Sequence, residues 1–168
     1  MRAVKRVQRG FTLIELVVGI LAFVVALAIV TDFVAPLAKK STEQLAQLKA
    51  AKLGSSVMNE ILLLSYDENS DRSPPFLRCD EKAQGCSAVL GPEEADPTLY
   101  NDVDDYNGYT VNDVGGDYPG YQIAVTVVLD GDYSQPTVDN LQLAKRIDLA
   151  VTTPEQEVYR FQAYRGNY

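Results

Sequence analysis

An apolar run from Phe11 to Val30 carries one charge, Glu15, and one glycine, Gly19. A helix of that length, at about 1.5 Å per residue, spans roughly 30 Å, the hydrocarbon thickness of one bilayer. Ahead of it, Met1 to Gly10 holds Arg2, Lys5, Arg6 and Arg9 and no acid. Basic residues before such a run place the N-terminus in the cytoplasm and the rest of the chain outside. Three readings fit this start. One is an uncleaved single-pass anchor. A second is a secretory signal cut at Ala26-Leu27-Ala28, although the run is long for a signal and contains a carboxylate. The third is a segment processed at its front end.

Glu15 favours the third reading. An ionised group in a membrane helix costs roughly 2.5–3.5 kcal/mol at the helix centre, less near the interface, and such residues usually have a partner. No basic residue follows Glu15 within the run. A cut between Gly10 and Phe11 would create a free α-amino group on Phe11. Glu15, four residues on, lies on the same helical face as that amine.

The segment Arg9-Gly10-Phe11-Thr12-Leu13-Ile14-Glu15 resembles the processing motif of type IV prepilins and type II secretion pseudopilins. The resemblance implies that a membrane prepilin peptidase cuts after Gly10 and methylates Phe11. It also implies that Glu15 pairs with the N-terminal amine of a neighbouring subunit. The short basic leader and the phenylalanine after the cut look like the type IVa class. A helix bonds its own backbone and so is satisfied in lipid; in a filament its apolar faces would pack on other helices instead.

Beyond the apolar run, Asp32 marks its end and Pro36 is expected to kink or loosen the helix. Ala46, Ala50, Leu53, Val57, Ile61 and Leu64 then recur at helical spacing, an amphipathic stripe that would hold a sheet. The sheet is expected from three alternating runs. They are Tyr121–Leu129, Ile147–Val151 and Tyr159–Ala163, with Thr153-Pro154-Glu155-Gln156 turning between the last two. The expected fold is α+β: a long N-terminal helix packed on a small antiparallel sheet of three to four strands, as the pilin resemblance also implies. The organisation reads as a cleaved leader at 1–10, a membrane or filament-core helix at 11–35 and an amphipathic half at 36–66. An irregular segment follows at 67–120, then the sheet at 121–168.

Segment 67–120 holds five of the eight prolines and six of the eleven glycines, and an irregular connection of that length is usually functional or disordered. Three stretches lie in it: Asp67 to Ser73, the Cys79–Cys86 ring, and Asn101 to Gly108. Over residues 1–110 they look like the D-type minor pilins of mannose-sensitive haemagglutinin (MSHA) pili. Both cysteines precede the sheet, unlike the C-terminal disulfide loop of many major pilins. In an oxidising compartment they are expected to pair, closing a ring worth at most about 2–3 kcal/mol.

Charge and composition exclude several functions. Without residues 1–10 the chain has 11 basic and 23 acidic residues, the wrong sign for phosphate neutralisation, so no nucleic-acid partner is expected. With no histidine, a Ser-His-Asp triad and a histidine zinc site are out of reach. No carboxylate pair or activated nucleophile suggests an enzyme. No cofactor is expected either, with one candidate aside. Asp102, Asp104 and Asp105, with Asn107, could hold calcium through oxygen ligands. Their spacing departs from the EF-hand pattern, and the bland alternative is a solvated acidic loop. The ten tyrosines suit either an adaptable contact surface or the filling of a loop-rich head.

These features lead to a minor structural subunit of a type IV pilus in a Gram-negative bacterium. Its partners would be other pilin subunits, the prepilin peptidase and, before assembly, inner-membrane lipid. The alternatives are a minor pseudopilin of type II secretion and a calcium-dependent adhesive head on a pilus.

Overall fold

The structure, a computed structural model, describes residues 10–131 and 143–168. Met1–Arg9 of the expected leader, with its four basic residues, lies outside the described residues. So does 132–142 of the expected sheet segment. The chain divides into two compact units, Met1–Leu45 and Ala46–Tyr168.

Helix α1 runs from Leu13 to Leu62. Thr12 caps it: its Oγ1 accepts from the Glu15 amide at 3.3 Å, and its carbonyl accepts from Leu16. Thr12 followed three residues later by Glu15 is the residue order of a capping box. Pro36 lies inside α1. It cannot donate to the Asp32 carbonyl, yet the helix continues on both sides, so one lost bond does not end it. In the first unit, Leu13–Val34 has a mean hydropathy of 3.0 and its side chains are exposed. That length and composition suffice to cross a membrane.

The second unit carries the core. The expected stripe is its helical side: Ala50, Leu53 and Ile61 are buried, while Val57 and Leu64 are partly so. Gly54 and Met58, which the stripe omitted, are buried as well.

Opposite stands a four-stranded antiparallel sheet in chain order. Its strands are β1 (Thr110–Val111), β2 (Gln122–Leu129), β3 (Ala144–Thr152) and β4 (Val158–Gly166). Val125 pairs with Leu149 and Leu149 with Phe161, so alternate residues of three strands share one face. Ile123, Val125, Val127, Ile147, Leu149 and Val151 are buried on it. Where Phe161 crosses α1, a Cβ on Gly54 would clash with the edge of its ring, so glycine sets the close approach. The β3–β4 turn is the expected one, with the Gln156 amide donating to the Thr153 carbonyl at 2.9 Å.

The irregular segment differs from expectation at its end. The sheet begins at β1, whose Thr110 and Val111 pair with Ala124 and Ile123. Earlier, the Ser65 amide donates to the Asn101 carbonyl at 3.3 Å, and the Val103 amide to the Ser65 carbonyl at 3.1 Å. Residues 66–101 therefore leave and rejoin the fold at one point, as an excursion closed at its root. Tyrosines fill its base: Tyr100, Tyr106 and Tyr109 meet edge to face at 5.2–6.1 Å, the geometry that ring quadrupoles favour.

Candidate functional site

The N-terminal motif sits at the start of α1. Gly10 precedes the cap, and Phe11 is 85% exposed. Glu15 stands in the first helical turn, where the positive end of the helix dipole favours a carboxylate by about 0.3–1 kcal/mol. Among the described residues no basic side chain pairs with it. Phe11, Glu15, Gly19 and Phe23 step by four residues along one face, and with Leu16 and Ile20 they line a shallow depression. A Cβ on Gly19 would meet nothing, so the glycine leaves a notch beside Glu15. This is one carboxylate on an otherwise apolar face, open to a partner.

The acidic residues of the irregular segment are placed differently from either expectation. Asp102, Asp104 and Asp105 are 0–1% exposed, so the loop is not a solvated acidic face. Nor do the three point at one centre. Asp104 Oδ1 meets Lys145 Nζ at 2.5 Å. Asp102 Oδ1 accepts from the Asp104 and Asp105 amides, while Asp105 Oδ2 accepts from the Asn101 and Asp102 amides. The two carboxylates thus fold the one-turn 3-10 helix Asp104–Tyr106 onto itself.

The Asn107 side chain is also occupied, donating to the Leu90 carbonyl and accepting from the Val127 amide. The carboxylates that do converge are Glu93, Glu94 and Asp105, each with an oxygen within 4.8 Å of the others. Glu93 and Glu94 carried no sequence signal beyond their charge.

Lys145 is the residue the sequence reading missed. It lies on β3 in register with Ile147, Leu149 and Val151, and it is fully buried. Its ammonium donates to the Tyr66 carbonyl at 2.6 Å, reaches Asp67 Oδ2 at 3.4 Å, and stands 4.4 Å from the Tyr66 ring centre. Burial pushes the Asp102 carboxyl up to about 8; the neighbouring Asp104 and Asp105 carboxylates add to this, and Lys145 opposes it.

Cys79 and Cys86 form the expected disulfide. Cys79 is buried, and Asn167 Nδ2 donates to Asp80 Oδ1 at 3.0 Å. The ring therefore pins the last residues of the chain as well as its own loop.

A protein-family model described as the prokaryotic N-terminal methylation motif matches residues 5–31. The match covers Gly10, Phe11, Glu15 and the whole apolar run to Val30, and supports a type IV pilin or pseudopilin. A motif of this kind implies processing by a prepilin peptidase and assembly with other pilin subunits, with an apolar helix that fits a single-pass inner-membrane anchor. No curated protein and no solved structure matches the chain.

Proposed function

We propose that this chain is a minor structural subunit of a type IV pilus of the MSHA type in a Gram-negative bacterium. The methylation motif followed directly by an exposed apolar helix with one carboxylate in its first turn supports the pilin or pseudopilin part of this reading; the MSHA part rests on the resemblance of residues 1–110 to D-type minor pilins. The prepilin lies in the inner membrane with its N-terminus in the cytoplasm. Prepilin peptidase removes Met1–Gly10 and methylates Phe11. The subunit then leaves the bilayer for a filament, where neighbouring helices replace lipid around Leu13–Val34.

Glu15 gives the transfer its register. In lipid it pairs with the new amine at its own helix start. In the filament it meets the amine of the next subunit, in surroundings where an unpaired charge is costly. The head contributes a sheet, a pinned excursion and an exposed surface to the outside of the filament, and performs no catalysis.

The test is the N-terminal mass of the chain expressed with and without a prepilin peptidase. A methylated Phe11 start that depends on the peptidase is expected. An intact Met1, or a start after Ala28, would remove the pilin pathway. Deletion of the chain in its host separates the two machines: loss of surface pili supports the pilus, whereas loss of protein secretion with pili intact replaces it by the pseudopilin alternative.

A further inference from the structure

The excursion and the turn it packs on hold more buried negative charge than buried positive charge. Asp67, Asp102, Asp104 and Asp105 are each at most 1% exposed, and the buried cation beside them among the described residues is Lys145. Backbone amides serve one oxygen of Asp102 and one of Asp105. The other oxygens are left over. Asp102 Oδ2, Asp104 Oδ2, Asp105 Oδ1 and Glu94 Oε2 are shut off from solvent and meet no hydrogen-bond partner among the described residues. A buried carboxylate oxygen without a donor carries its full desolvation cost. Several in one place must take up protons or share a cation.

The geometry favours a cation at one end of the cluster. Asn101 positions two of the carboxylates: its amide holds Asp105 Oδ2 at 2.8 Å, and its Nδ2 holds Glu94 Oε1 at 2.8 Å. Their opposite oxygens are the unpartnered ones. Oxygens of Glu93, Glu94 and Asp105 lie within 4.8 Å of one another, and ligands on opposite sides of a calcium ion at 2.3–2.6 Å stand about that far apart. Glu93 is exposed, which gives an ion a way in and leaves room for waters at its remaining positions. An all-oxygen set with no imidazole or free thiol selects a hard cation, and an irregular loop suits calcium's loose coordination better than magnesium's strict octahedron.

We propose that Glu93, Glu94 and Asp105 form a calcium site that ties the excursion to the turn Asp104–Tyr106. The site is independent of how the N-terminus is read. It differs from the set first expected, because Asp104 serves Lys145 and, of the three aspartates, Asp105 is the one that converges with Glu93 and Glu94.

The test uses the full chain in detergent micelles, stripped with chelator and titrated with calcium chloride or magnesium chloride. Calorimetry and thermal unfolding, followed by the near-ultraviolet circular dichroism of the tyrosines, give the readouts. Calcium should produce saturable heat with one equivalent and raise the unfolding temperature, and magnesium should do so much more weakly. Glu94→Gln and Glu93→Gln should each weaken calcium binding about tenfold or more; the second changes an exposed side chain and so guards against simple misfolding. No heat and no thermal shift up to about 5 mM calcium, beyond the range of weak extracellular calcium modules, would overturn the site. So would wild-type affinity in both variants.

Discussion

Lys145 is the residue on which the head turns. Its ammonium is fully buried on the core face of β3 and answers two buried carboxylates, Asp67 and Asp104. Replacing it with methionine keeps much of the volume and strands both charges, which should cost about 3–5 kcal/mol. Denaturant unfolding of the detergent-solubilised chain measures this, and a loss below about 1 kcal/mol, the scale of an exposed pair, would show that the pair does not hold the head. Asp102 gives a pH signature in chelator. Its carboxyl is raised to about 8 in the fold but titrates near 3.9 when unfolded. Between those values the folded state binds the extra proton, so stability should fall as pH rises from about 4 to about 8. Asp102→Asn should flatten that slope in thermal melts taken across the range. Glu15 was legible in the sequence because a lone charge in an apolar run asks for a partner. Lys145 was partly legible, since period two places it with Ile147, but its carboxylates lie 41 and 78 residues away and no local pattern reports such pairings.

At the scale of elements, the sheet and the helical stripe could be read because each buries one face with a fixed period. Gly54 could not, since its burial depends on where Phe161 of β4 crosses the helix. The two-residue β1 lies in a glycine-rich stretch too short to alternate. The crossing itself can be probed. Gly54→Ala puts a Cβ hard against the edge of the Phe161 ring, and overpacking of this kind costs about 1–3 kcal/mol. Phe161→Leu in the same chain should recover part of that loss, so the double variant should be more stable than the sum of the singles implies. Strict additivity in denaturant unfolding would mean that the two positions do not meet.

For the whole molecule, the division at Leu45 and Ala46 separates an exposed apolar segment from a unit with its own core. A fragment comprising residues 46–168 should therefore remain soluble, form the Cys79–Cys86 disulfide and unfold in one cooperative transition; aggregation or a non-cooperative melt would show that the head needs the rest of α1. In the full chain, Glu15→Val should leave membrane insertion intact yet reduce the subunit's entry into filaments, scored by immunoblot of sheared pili. Unchanged incorporation would remove Glu15 from assembly. The α+β class was legible because the membrane-length run and the period-two strands are both strong local signals. The calcium-site geometry was not, because Glu93 and Glu94 reach Asp105 only once the excursion has folded back.

The closed root of residues 66–101 has a further consequence. Because the Ser65–Asp102 bridge and the Lys145 ammonium fasten both ends, the stretch between hangs from the frame as a cassette. Each doubling of such a loop adds only about 0.6 kcal/mol of closure entropy. Insertions and replacements that spare the Cys79–Cys86 ring, the Asp80 contact to Asn167 and the Glu93–Glu94 carboxylates would leave the helix–sheet frame in place. What the rest of the cassette presents to solvent is thereby separated from what holds the core, and the first can be altered with the second kept.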